Sequence, residues 1–390
     1  MGLVKTVMLD TDDQGLTVRW PDGSRSYFHH VWLRNCCYCP ECGSVETGTR
    51  FLQPGDVPGN TIATRVVLSG DGRVSITWQD EHVSTYDLEW LRSFDYSRPV
   101  LDAKRHRPRT WDGGISSRPP VFDFQACRAD PASLLDYMRQ VRDFGFSLMR
   151  NGPVGEGAIE AVAGLVGSLA DSAYGQVFDL KPDFAHSIGN TFHSVPPHTD
   201  EAFLYSPPGI MILYCVAQAG EGGDTVLVDG FHLADQLKSR DRDAFDILKT
   251  QPQTFMRVVP QDGVYQYARA RVLTVDEYDN VVGIRFHTRT MAPLDVEPDR
   301  VADVHRANSL LCELMMDPRN QTRFRLNPGE AVVFDNHRVM HARTAFSDAR
   351  RHFQICNVSR ERFHQKLRFT ASEQGFPDEA RQLLPSGAIG

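Results

Sequence analysis

The sequence predicts an α+β protein in which a β-barrel or jelly-roll core carries flanking helices, with a small β-rich domain ahead of it. Strand-like runs greatly outnumber βαβ alternations, which argues against a doubly wound sheet. The first 98 or so residues read as short strands and turns, whereas helical spacing begins near residue 131. Between the two patterns lies VLDAKRHRPRTWDGGISSRPP, rich in Pro, Gly and Arg. The expected organisation is a β domain over residues 1–98, a linker over 99–120 and a main domain over 121–390.

In the first domain, LTVRW and SRSYF flank a PDG turn, and VVLSGDGRVSITW reads as a second hairpin. Hairpins of this size bury little core alone, so a staple is expected. NCCYCPEC supplies it: Cys37, Cys39 and Cys42 offer soft ligands on a tight loop, with Cys36 competing for one place. His82, in the turn WQDEHVS, completes a Cys3His set suited to tetrahedral Zn2+. A redox pair or idle thiols are the plainer alternatives. Cys127, Cys215, Cys312 and Cys356 are scattered through apolar stretches and read as buried small hydrophobes.

Further on, PASLLDYMRQVRD begins a helix at Pro131, GFSLMR is a strand and GEGAIEAVAGLVGSLAD a second helix. IMILYCVA reads as a buried strand, GFHLADQLKSRDRDAFDIL as one helix and VADVHRANSLLCELMMD as another. QTFMRVV, VVGIRFH, TRFRLN, EAVVFDN and HFQICNV supply further strands. No internal repeat or low-complexity tract is evident.

The 390 residues are 41% hydrophobic and 24% charged, with net charge −8, an ordinary globular balance that argues against nucleic acid as a partner. The basic run Lys104–Arg109 reads as solvated linker. No apolar run is long enough to span a membrane and no signal peptide is evident, so a cytoplasmic protein with free thiols is expected.

PPHTDEAF raises the question of function. On an extended strand His198 and Asp200 would share a face and could reach one metal ion. His341, in GEAVVFDNHRVMHARTAF, is the candidate third ligand. Two His and one Asp with open positions form the facial triad of non-haem Fe(II) oxygenases. If the chain doubles back at the turn SDAR, Arg351 starts the next strand beside that of His341; it, or its neighbour Arg350, could take the far carboxylate of 2-oxoglutarate, and Thr225 could add a hydroxyl. The same ligands would serve a zinc-dependent hydrolase using a metal-activated water, and a non-catalytic binding protein is a third possibility.

HTD, PPGIMILYCVAQAGEGGDTVLVDGF, NPGEAVVFDNHRVMHAR and the pair Arg351-His352 resemble the taurine-dioxygenase superfamily of Fe(II)/2-oxoglutarate oxygenases. WLRNCCYC and WQDEH extend the resemblance to the γ-butyrobetaine and trimethyllysine dioxygenase branch, with its zinc-binding N-terminal domain. The resemblance implies a double-stranded β-helix, iron on His198, Asp200 and His341, 2-oxoglutarate on Arg351, and a homodimer. It implies C–H hydroxylation, or desaturation, of a small molecule as 2-oxoglutarate and O2 become succinate and CO2.

The branch holds trimethylammonium in an aromatic cage. Tyr174 matches one wall, but Phe178 stands where the family has tryptophan, and Asn190 and Asn357 where it has tyrosines. His287 and Arg289 fall where it uses neutral residues. The expected substrate is therefore a small amino acid, carboxylate or phosphonate, with a trimethylammonium compound as the alternative. His337 and His352 read as structural, His186 and His193 as exposed loop residues, and Glu201 and Tyr205 as lining the entrance.

Overall fold

In a computed structural model, which describes residues 7–182 and 188–388, the chain divides into two compact units, Met1–Arg105 and His106–Gly390. The first contains two antiparallel three-stranded sheets, Met8–Thr11/Gly15–Arg19/Arg25–His29 and Ala63–Leu68/Arg73–Trp78/Val83–Asp87. Each sheet runs into a short helix, His30–Asn35 and Leu88–Ser93. The two halves are copies of one pattern. Trp20 Nε1 donates to Ser26 Oγ at 2.7 Å, and Trp78 Nε1 to Ser84 Oγ at 2.8 Å. Gly23 and Glu81 take the same left-handed turn position, with φ of 89° and 66°. This repeat goes unseen in the sequence because few identities survive outside Trp20/Trp78, Ser26/Ser84 and the Trp-Leu-Arg runs. The helices and inner strand faces share one core of Leu16, Val18, Phe28, Leu33, Val74, Ile76, Trp78 and Leu91.

The second unit is built on two facing sheets. The larger runs Leu169–Ala170, His352–Val358, Ile210–Ala217, Ala331–Asp335, Phe146–Arg150, Val121–Asp123, with Val177–Leu180 also paired to His352–Val358. The smaller runs Val195–His198, Val339–Arg343, Thr225–Asp229, Gln321–Phe324. Side-chain alternation assigns each strand's faces. Met211, Leu213 and Cys215 join the inner core with Leu148, Leu227, Val332, Phe334, Val339 and Phe353. Ile210, Ile212 and Tyr214 point outward onto the helices Pro131–Phe144 and Ala158–Val166. Val228 and Met340 face the other way, onto the helices Gly230–Arg240, Arg242–Thr250 and Val301–Met316. This is the jelly-roll core that the strand count predicts.

Two expectations change. The single helix over GFHLADQLKSRDRDAFDIL is two, because Asp241 turns extended and its carboxylate caps Ala244 N at 2.9 Å. Residues 99–120 are not a plain linker. Arg98–Lys104 is helical, and Trp111 is buried in the inner core of the second unit, donating from Nε1 to Phe144 O at 2.6 Å.

Candidate active site

His341 lies on the same strand face as Val339, whose side chain is in the inner core, so it points between the sheets. His198 is directly opposite it across the antiparallel ladder. Thr225 shares a face with inward Leu227, which pairs with His341. Sheet register thus joins residues far apart in sequence. Asp200 arrives differently. The strand ends at His198, and Asp200 lies in the following turn rather than on an extended strand. Buried Asn336 fixes that turn: its Oδ1 accepts from Asp200 N at 2.7 Å and its Nδ2 donates to Asp200 O at 3.1 Å.

His198 Nε2 is 3.3 Å from Asp200 Oδ1, and His341 Nε2 is 3.7 Å from Oδ2. One ligand atom from each residue lies within 4.8 Å of the others. His198 Nδ1 is 2.9 Å from Pro196 O, a contact that places the proton on Nδ1 and turns the Nε2 lone pair inward. Burial alone would raise the Asp200 carboxyl, but His341 and His198 beside it hold it well below its ordinary value. Burial lowers His341 to about 4. A carboxylate at Asp200 and a neutral imidazole at His341 are the protonation states a divalent cation needs.

A cavity of about 530 Å³ opens onto these residues. On one side stands Arg351. The expectation that its strand lies beside that of His341 is corrected: His352–Val358 pairs with Ile210–Ala217 in the opposite sheet. Arg351 therefore faces the cavity from across the sandwich. Its guanidinium lies 3.9 Å from the Phe353 ring and 5.0 Å from that of Phe346. It is 2% exposed and, among the described residues, makes one long contact to Gly223 O at 3.5 Å and leaves Nε without a partner. Burial, then Arg343, lower its pKa to about 9, so it remains charged at neutral pH. Thr225 Oγ1, also buried, has no partner among the described residues. Gly223 makes the close approach possible: at φ 73°, a Cβ there would sit 2.9 Å from Arg351 Nε. Arg350 instead pairs with Asp348 at the surface.

On the other side the Tyr174 and Phe178 rings meet at a tilt of 39°, with centroids 4.9 Å apart. His287 packs at 4.5 Å on His198, lowered to about 2 chiefly by burial, with Nδ1 unpartnered. Arg289 lines the cavity with much of its side chain still in solvent. Asn357 lines it too and donates to Ala170 O at 3.1 Å. Asn190 is buried beside the lining residue Gly189 and is not itself on the cavity surface. His186 lies outside the described residues. His193 and Tyr205 are exposed; His337 meets Pro207 O at 3.3 Å and His352 meets Asp179 at 2.5 Å.

Three lining residues were not singled out as binding groups from sequence. Glu201 is not at an open entrance: it is 5% exposed, with Oε2 accepting from Ala173 N at 2.8 Å. Burial raises its carboxyl to about 7. Arg257 lies 4.8 Å over the Tyr174 ring; its one signal was a charge inside the apolar run QTFMRVV. Arg343 donates to the carbonyls of Gly189, Thr191 and His193.

In the first unit, Cys37, Cys39 and Cys42 Sγ lie 3.4, 3.6 and 3.6 Å from His82 Nε2. Tetrahedral zinc with ordinary bond lengths sets its sulfur and nitrogen ligands about 3.5 Å apart. Cys36 instead packs against the aromatic core.

Residues 107–357 match the family described as Taurine catabolism dioxygenase TauD, TfdA, and residues 7–92 match Gamma-butyrobetaine hydroxylase-like, N-terminal. A γ-butyrobetaine dioxygenase from Pseudomonas sp. strain AK-1 is 32% identical, over 90% of this chain and 93% of its own. The human γ-butyrobetaine dioxygenase is 26% identical over 85% and 87%, and the Meyerozyma guilliermondii trimethyllysine dioxygenase 26% over 93% and 95%. A Burkholderia xenovorans structure assigned as an alpha-ketoglutarate-dependent taurine dioxygenase aligns with TM-score 0.50 at 15% identity, over 64% of this chain and 90% of that one, and shares the fold. With its jelly-roll core and its His-Asp-His cluster, the chain belongs to the TauD/TfdA family and is an Fe(II)- and 2-oxoglutarate-dependent dioxygenase.

Proposed function

We propose that His198, Asp200 and His341 bind Fe(II), that Arg351 and Thr225 hold the distal carboxylate of 2-oxoglutarate, and that the enzyme hydroxylates a small substrate bearing an anionic group. The observation that carries the cosubstrate assignment is Arg351, a buried cation with no carboxylate partner among the described residues. Burying a charge without a counterion is costly, and an anionic ligand beside it offsets that cost. Bound iron and 2-oxoglutarate supply O2 activation and C–H oxidation, with release of succinate and CO2. The chain's own residues orient the reactants: Asn336 sets Asp200, Pro196 sets His198, and the Phe346 and Phe353 rings hold the Arg351 plane.

Arg257 and Arg289 support the anionic class for the substrate, since both line the cavity and, among the described residues, neither forms an ion pair with a carboxylate. A trimethylammonium substrate is the second reading, favoured by the curated relatives and by the Tyr174–Phe178 ring pair. Succinate release decides between them. Purified protein with Fe(II), 2-oxoglutarate and air is given small carboxylates, amino acids, phosphonates, γ-butyrobetaine and trimethyllysine. Stimulation by acids but not by matched neutral compounds is expected; equal stimulation by neutral compounds contradicts the anionic class.

The same proposal includes a structural zinc on Cys37, Cys39, Cys42 and His82. It also includes a homodimer, measured by light scattering, and residence in the cytoplasm. Among the described residues no helix is long and apolar enough to cross a membrane.

A further inference from the structure

Resting on the anionic-substrate reading, the inference concerns the other end of the substrate. Among the described residues, the cavity wall around Tyr174 carries Glu201, Arg257 and Arg289 with no ion pair between them. Glu201 is buried, its Oε2 accepts from the Ala173 N–H, and the Ser172 hydroxyl lies beside the same carboxylate. A carboxylate has about four acceptor sites, so capacity remains. Arg257 acts on it through space without an ion pair, and its guanidinium is stacked over Tyr174 at 4.8 Å. One face of the Tyr174 ring is thus already covered by a cation. A trimethylammonium also carries no N–H and could not satisfy the Glu201 carboxylate.

We propose that Glu201 is a specificity-determining residue that accepts hydrogen bonds from a substrate ammonium bearing N–H, with the acidic group of the same molecule on Arg257 and Arg289. The substrate is then an amino acid or aminophosphonate rather than its permethylated betaine.

The test uses matched pairs on the anaerobic enzyme loaded with Fe(II) and 2-oxoglutarate. 4-Aminobutyrate is compared with γ-butyrobetaine, and 2-aminoethylphosphonate with its N-trimethyl form. Calorimetry gives Kd, and succinate release in air gives kcat and KM. In at least one pair the unmethylated member binds tighter by at least about tenfold, the scale of one charge-assisted hydrogen bond. Glu201→Gln keeps an acceptor for Ala173 N–H while removing the charge. It is expected to erase that preference and leave 2-oxoglutarate affinity unchanged. A purely structural Glu201 would weaken both members equally.

Tighter binding of the quaternary members by the unaltered enzyme overturns the inference whether or not the variant folds. So does a preference that survives Glu201→Gln, or binding by no member of either pair. The anionic reading fails by a different readout: butylamine would bind as tightly as 4-aminobutyrate, and Arg289→Gln would leave the affinity for 4-aminobutyrate unchanged.

Discussion

A guanidinium buried between two phenylalanine rings is stable only if something negative meets it. Arg351→Ala is therefore expected to raise the 2-oxoglutarate requirement by roughly 100-fold, about 2.7 kcal/mol, with iron affinity little changed. Arg351→Lys should recover part of the loss, because a point charge lacks the planar fork. Asn336→Ala acts one step back. It leaves the Asp200 N–H without its acceptor, so iron affinity should fall by roughly 10- to 100-fold, read by equilibrium dialysis. An unchanged affinity would mean the turn holds without it. At this scale the sequence was most legible where chemistry is concentrated in one short string: HTD, HAR and Arg351-His352 name their candidates directly. Glu201 was underestimated because a carboxylate after HTD looks like solvated loop until its burial is known. Asn190 and Asn357 could not be told apart by residue type, and only one of them lines the cavity.

Among the elements, the strands were legible by alternation, and IMILYCVA becomes Ile210–Ala217 with both faces buried. Pairing order was not, because register is a nonlocal property. Hence Arg351 was expected beside His341, whereas its strand crosses to the opposite sheet. The helix after Thr225–Asp229 is anchored by a buried pair: Arg338 Nε and Nη2 donate to Asp229 at 3.0 and 2.9 Å, and Asp229 also accepts from Trp111 N and Phe231 N. Asp229 ends the strand that carries Thr225. Arg338→Ala should lower unfolding free energy by about 3–5 kcal/mol in urea, since it strands a fully buried carboxylate. A loss below about 1 kcal/mol would contradict that role.

The whole molecule combines a small unit and a large one, and their stabilities answer to different treatments. Four of the five tryptophans, Trp20, Trp32, Trp78 and Trp90, lie in the first unit. Metal chelation should therefore change tryptophan fluorescence strongly, and zinc, not magnesium, should restore it. Acid acts on the second unit. Burial would raise Asp143, but His106 at 2.9 Å and Arg142 at 2.7 Å lower it to about 2. Because the folded value lies below the unfolded one, about 3.9, this contribution is complete above about pH 4 and is lost as pH falls toward 2. Asp143→Asn should flatten the stability profile in that window. Fold class was legible at this scale because strands outnumber βαβ units. The duplicated first unit was not, because the two copies share geometry more than residues. The account as a whole rests on the pairing of the His198–Asp200–His341 cluster with Arg351. Its most direct test is an anaerobic 2-oxoglutarate titration of the Fe(II)-loaded protein, followed by the visible iron–oxoglutarate absorption band. The account predicts a saturable band in the unaltered enzyme, shifted roughly 100-fold to higher 2-oxoglutarate in Arg351→Ala. No band, or identical saturation in both proteins, would contradict it.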